Sequence, residues 1–323
     1  MFNVYWCNNR TMIKLTASLI ALSLCSYSSY KPMNDLHSND EPVTEIEKYV
    51  QCEQLYEECW NELPQTIFWK KIMQLTEDSI ILNVAATREI LEIVSIADWN
   101  KFSDDEKEIY RVNQRLAFGL DKDERIFATT GKKDFYKFNE VIPQLKKGIE
   151  VFEENSVDPW YAQSILLIEC PGQMKKSNAG AYGAFQLMPS VARSHGLIVN
   201  REIDERKDFG KAAKAASEVI QEVCIPETKK LLAKYNIKAE PKKLWFRLLV
   251  LHVYHAGAFN VDAVIQKINP TKGSQELIQA LWQNKAASFG NSSQNYSQLA
   301  LAANVILREM IEESLSNETE SNL

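Results

Sequence analysis

Apolar positions recur at helical spacing along most of the chain. Between residues 66 and 98 they fall at Ile67, Ile72 and Leu75, then Ile80, Ile81, Leu82 and Val84, then Ile90, Leu91, Ile93 and Val94, and this spacing predicts helix. Residues 43–62 read as helical but heavily charged. Ser103 before Asp104-Asp105-Glu106-Lys107 predicts a helix start, with acids in the first turn where the dipole favours them. Thr129-Thr130-Gly131-Lys132-Lys133 is a polar break. Phe135, Phe138, Val141, Ile142, Leu145, Ile149 and Phe152 then mark a helix over 134–154. Asp158-Pro159 starts the next, with Asp as N-cap and Pro in the first turn. That helix runs from Trp160 to about Glu169, where Pro171-Gly172 stops it. Pro189 opens another, and Leu248–Tyr254 lies on a further one. From about Ser314 the periodicity ends.

Composition agrees with an all-α fold. The 323 residues include 11 Gly and 10 Pro, few turn-formers for this length. Their net charge of −6 gives no footprint for nucleic acid. Lys14 precedes an apolar run from Leu15 to Leu24, too short for the roughly 20 residues a membrane span needs. The pattern is that of an export signal, with Met12 better placed than Met1 as its start. Leu22-Ser23-Leu24-Cys25 resembles a lipoprotein processing box that would lipidate Cys25, although Leu24 stands where a small residue is usual. Ordinary cleavage at Ser26 or Ser28 is the alternative. The expected organisation is a signal over 1–25, a tether over 26–42, a helical region of unassigned role over 43–133, a catalytic domain over 134–313 and a flexible tail over 314–323.

Six cysteines occupy positions 7, 25, 52, 59, 170 and 224. Cys52 and Cys59 on one straight helix would stand about 10 Å apart, too far to bridge. Without a His-rich cluster there is no zinc site, and the simplest expectation is buried free thiols.

Glu169 closes the run Ile165-Leu166-Leu167-Ile168. Apolar surroundings and a helix C-terminus both disfavour a carboxylate, so both raise its pKa toward the range a general acid needs. Taken alone, a surface glutamate ending a helix is the better reading. The segment Ser177-Asn178-Ala179-Gly180-Ala181-Tyr182-Gly183-Ala184-Phe185-Gln186-Leu187-Met188-Pro189 changes that balance. Its small residues let backbone approach a ligand closely. No Asp or Glu occurs from Cys170 to Arg201, so the second carboxylate of an ordinary glycosidase is missing near the first.

These residues resemble the soluble-lytic-transglycosylase, goose-lysozyme-like family, including catalytic domains of the membrane-bound murein transglycosylase D kind. The matches are Glu169, Ser177, Gly180, Ala181, Gly183, Gln186, Leu187, Met188, Pro189 and Ala192. Downstream, Tyr254-His255-Ala256-Gly257-Ala258-Phe259-Asn260-Val261 is similar to the family's Tyr-Asn-Ala-Gly-x-Gly-x-Val, and the stretch Asp204–Asp208 is similar to the one that opens its next helix. The likeness covers about residues 140–310. Departures are Cys170 for Ser, His255 for Asn and Phe259 for Gly. Ser292-Ser293-Gln294-Asn295-Tyr296 keeps only the Tyr of a Glu-Thr-Arg-x-Tyr motif.

The resemblance implies a lysozyme-like fold acting on the peptidoglycan glycan strand in the periplasm or envelope, with no cofactor and no metal. It implies Glu169 as sole acid/base. Cys170, Ser177, Gly183, Gln186, Met188 and Tyr254 would contact substrate, with Tyr254 bonded to the glutamate. The product would be a 1,6-anhydro-muramic end. Two rivals stand beside this. One is a muramidase using water, with a base from the acidic stretch 202–208. The other is a catalytically weak peptidoglycan-binding module.

Overall fold

Helix α10 (Leu244–Ala256) is apolar on every side, and nearly all of it is buried, which makes it the central strut of the molecule. The structure is a computed structural model that describes residues 49–169 and 176–321. The expected signal, Cys25, the tether, Cys170 and Pro171-Gly172 lie outside the described residues. Around α10 pack α9 (Ile225–Ala233), α11 (Ala258–Ile268), α12 (Gln275–Gln283) and α13 (Asn291–Ser321). Helix α13 runs well past Ser314, where the sequence pattern places the start of a loose tail.

Helix α6 (Trp160–Glu169) lies between α5 (Phe138–Glu154) and α13. Asp158 starts it as expected: its Oδ1 accepts from the Trp160 N–H at 3.0 Å, and Arg247 pairs with the same carboxylate at 2.7 Å. Every residue from Trp160 to Ile168 is buried, including Gln163 and Ser164. Those two are satisfied. Gln163 exchanges both amide hydrogen bonds with the Val50 backbone, at 2.8 and 3.0 Å, and Asn304 of α13 donates to Ser164 Oγ at 3.0 Å. The helix that ends in Glu169 is thereby pinned on three sides.

The chain is predominantly helical, with one departure. Helix α2 (Pro64–Gln74) ends where β1 (Ser79–Val84) and β2 (Ile90–Ser95) form a hairpin, and β3 (Ile126–Thr130) adds antiparallel on the far edge of β1. The helical expectation for 79–95 is therefore corrected. Ile80 and Leu82 face a small separate core with Trp99 and Ile126, whereas Ile81 faces the main core. A strand buried on both faces is continuously apolar, and periodicity alone cannot separate it from a helix; its β-branched residues decide. Residues 43–48 lie outside the described residues, and over 49–62 the helical reading shrinks to α1 (Gln54–Glu57) and a short 3₁₀ turn at Trp60–Glu62. The start at Ser103 holds as a full capping box opening α4 (Asp104–Ala117), just after α3 (Ile96–Trp99).

Cys52 and Cys224 carry free thiols, as expected. Cys59 does not; it is disulfide-bonded, and its partner lies outside the described residues. No helix among the described residues is long and apolar enough to cross a membrane.

Candidate active site

Glu169 opens at the end of α6 into a groove of about 610 Å³. Ser177, Gln186, Met188, Tyr254 and His255 line it, together with Val219, Val223 and Cys224. Of the expected contact residues, Ser177, Gln186, Met188 and Tyr254 thus come together on one groove with Glu169. Gly183 does not line it. It is buried beneath, with φ +84°, and a Cβ there would lie 2.2 Å from the Arg206 carbonyl oxygen. Cys170 lies outside the described residues.

Two turns shape the groove wall. In the first, the Ser177 N–H donates to Ala181 O at 2.8 Å, and Ser177 Oγ accepts from the Ala181 N–H at 2.9 Å. In the second, a Tyr182–Leu187 bridge closes over Gly183 and over Gln186, which holds φ +46°. Arg206 ties the two turns together. Its guanidinium donates to Gly180 O at 2.8 Å, to Leu187 O at 2.9 Å and to both Asp204 oxygens at 2.8 and 2.7 Å. Helix α7 (Pro189–Ser194) then starts at Pro189, as the sequence implies. The opposite wall is one turn of π-helix, Val219–Cys224, joining α8 (Phe209–Glu218) to α9 just ahead of Pro226. Proline lacks an N–H, and π-turns accommodate that loss in the ladder.

Burial drives the Glu169 pKa up from 4.5 to about 7, against a smaller lowering by the Tyr296 hydroxyl. The tyrosine whose hydroxyl lowers the Glu169 pKa is therefore Tyr296. Its hydroxyl is buried beside Glu169 but completes no hydrogen bond of full geometry, so it stands ready as a donor. Tyr254 is corrected in its role, because its hydroxyl donates to Phe185 O at 2.7 Å. Tyr136, Tyr254 and Tyr296 all have pKa values raised first by burial and next by the Glu169 charge. Among the described residues, three tyrosines thus feel the Glu169 charge, and no cation contributes to its shift.

Tyr296 is held from both sides. The His255 ring stacks on it at 4.3 Å between centroids. From the N-terminal region, Arg88 donates to Asn295 Oδ1 at 3.1 Å while lying over Phe68 and Trp69, and Trp69 Nε1 donates to Gln298 Oε1 at 3.0 Å. Sequence reasoning placed Tyr296 as the remnant of a substrate motif and passed over Tyr136 and Arg206. Tyr296→Phe removes the hydroxyl that lowers the Glu169 pKa. The alkaline limb of kcat/KM should then move above its position near pH 7, with lower maximal activity. A limb left in place in that pH profile would mean that Tyr296 does not act on Glu169.

No other carboxylate lines the groove among the described residues. Asp204 is held by Arg206, and Glu205 pairs with Lys211 and accepts from the Ile198 N–H. Hydrogen bonds lower both pKa values, that of Asp204 through Arg206 and that of Glu205 through the Ile198 N–H. The Cys224 thiol is pushed up to about 12 by burial, which leaves it protonated and unreactive at neutral pH.

A lone raised glutamate at the end of a buried helix, facing a groove in a mostly helical domain, defines a lysozyme-like class of protein. Residues 153–276 match the family model described as the transglycosylase SLT domain. The match includes Glu169, both groove turns and Tyr254 but stops short of Tyr296. Domains of this family belong to lytic transglycosylases, which act on peptidoglycan. No curated protein matches the chain.

Proposed function

We propose that the protein is a peptidoglycan lytic transglycosylase in which Glu169 serves as both acid and base. The observation that carries this reading is a single carboxyl, raised to about 7, in a groove lined by no second carboxylate among the described residues. A glycosidase that activates water ordinarily needs two such groups. One group suffices when the substrate supplies the other nucleophile.

Protonated Glu169 gives its proton to the β-1,4 bridging oxygen between muramic acid and glucosamine, and that C–O bond breaks. The muramic N-acetyl oxygen bonds to the anomeric carbon as the leaving sugar departs. Glu169, now a carboxylate, takes the proton of the C6 hydroxyl, and O6 displaces the acetamido oxygen to close a 1,6-anhydro ring. The glutamate ends protonated, and no water is consumed. Tyr296 would donate to Glu169 during its ionised interval, when a buried carboxylate most needs a partner. Ser177, Gln186 and Met188 line the path of the sugars.

Digestion of purified peptidoglycan in oxygen-18 water tests the reaction class. Unlabelled anhydro ends are expected. Labelled reducing ends would assign a muramidase, and intact binding without any product would assign a binding module.

Peptidoglycan as substrate places the working protein in the periplasm or envelope, in keeping with the signal pattern at Lys14–Leu24 and with either lipidation at Cys25 or cleavage at Ser26 or Ser28. The hydrogen bonds from Arg88 to Asn295 and from Trp69 to Gln298, on the helix that carries Tyr296, support a bracing role for the region ahead of residue 134.

A further inference from the structure

We propose that Phe259 is an aromatic platform on which a sugar ring of the glycan stacks, adjoining the groove at Gly257 and Ala258. The inference rests on the glycan reading above and adds to it a subsite that governs recognition of longer strands.

Phe259 is 79% exposed, the highest of the large apolar side chains among the described residues. Phe68, Phe152, Phe185, Phe246 and Phe289 are fully buried, and the other exposed phenylalanines, Phe102, Phe118, Phe127 and Phe135, are no more than 48% exposed. A singly exposed apolar side chain is ordinary in itself, so two further conditions decide its meaning here: an adjoining cavity and a fixed backbone. Both conditions hold. Gly257 and Ala258, the two residues before it, line the groove. Phe259 itself stands in the first turn of α11, and that turn is tied down. Asn260 Nδ2 donates to Ala256 O at 2.8 Å, Asn260 Oδ1 accepts from the Ser288 N–H at 3.0 Å, and Val261 is fully buried.

On the other side of Gly257, His255 lines the groove and remains exposed while stacked on Tyr296. Two flat rings therefore bracket Gly257, whose φ of +78° makes the sharp change of direction between α10 and α11. One ring lies on the groove and the other just past it.

The chemistry fits a pyranose. A β-1,4-linked N-acetyl sugar presents a face of axial C–H groups and keeps its hydroxyls at the edge. Laying that face on an aromatic ring removes apolar surface from water without stranding a polar group. The groove volume is that of an ordinary small-ligand site, about 300–1,000 Å³. A polymer longer than the groove must run past its lining, and Phe259 follows directly on the lining residues Gly257 and Ala258.

The test uses the full chain carrying Glu169→Gln, to prevent turnover, and titration calorimetry with β-1,4-linked N-acetylglucosamine trimer and hexamer. The hexamer should bind about 3- to 10-fold tighter than the trimer. Phe259→Ala should remove that gain and leave trimer binding unchanged, and Phe259→Trp should retain it. Unchanged hexamer binding in Phe259→Ala would overturn the platform, as would equal loss for both oligomers, which would put Phe259 in the central site. A parent that binds neither oligomer would overturn the glycan reading itself, and the platform with it. Because Phe259 touches no core, the thermal melt of Phe259→Ala should match its parent and so confirm that any loss is one of binding.

Discussion

Glu169→Gln abolishes glycan cleavage and makes the folded protein more stable above neutral pH. The activity loss should be at least about 10³-fold, since one residue supplies both proton transfers and each is commonly worth about 10²–10⁴. The stability gain follows from the direction of the pKa shift. Burial raises the carboxyl from 4.5 to about 7. Below about pH 4.5 it is protonated in both the folded and the unfolded chain, so it imposes no penalty. Between about pH 4.5 and 7 the unfolded chain ionises first, and folding loses free energy as pH rises. Above about pH 7 the full cost is present. A shift of this size has a ceiling of about 3 kcal/mol, and exposure of the carboxyl to the groove reduces it to about 1–3 kcal/mol. Glutamine is neutral throughout. Urea unfolding of the two proteins should therefore coincide at pH 4.5 and separate at pH 9, with the variant more stable. Equal stability at pH 9 would contradict the burial of the charge, and retained cleavage would contradict the role of the residue.

Gly183→Ala should cost about 2–4 kcal/mol and at least about tenfold in activity. Two penalties combine there. The backbone sits at φ +84°, and the new Cβ would lie 2.2 Å from Arg206 O. Arg206 cannot easily retreat, because Asp204, Gly180 O and Leu187 O hold its guanidinium. The Tyr182–Leu187 turn would yield instead and carry Gln186 out of the groove. Gly180→Ala is the natural control. It has φ +93° but nothing within 4 Å of its Cβ position, so it bears the conformational cost alone, about 1 kcal/mol. Denaturation curves for the two variants decide the matter. Equal stability would show that the Arg206 contact is soft.

Local rules carried the sequence reading where one residue controls one feature. Asp158 caps α6, Ser103 caps α4, and Pro189 opens α7, each as its side-chain chemistry dictates. The end of the apolar run from Ile165 put Glu169 where burial raises its pKa. The reading failed where tertiary context decides. Ile80, Ile81 and Leu82 became a strand because two separate cores claim its two faces. The tyrosine that acts on the glutamate could not be chosen from spacing, because Tyr254 and Tyr296 stand on different helices and Phe185 O takes the hydroxyl hydrogen of Tyr254. Arg206 looked like part of a charged run; its bonds to Gly180 O and Leu187 O, one in each of two distant turns, appear only once the chain is folded. Gly183 was legible as a glycine the site requires, though the requirement comes from Arg206 beneath it and not from the ligand.

The most direct measurement is mass spectrometry of the soluble products released from purified peptidoglycan by the wild-type chain and by Glu169→Gln. Anhydromuropeptides from the wild type, and none from the variant, are the expected result. Reducing-end muropeptides from the wild type, or the same products from both proteins, would contradict a transglycosylase that works through Glu169.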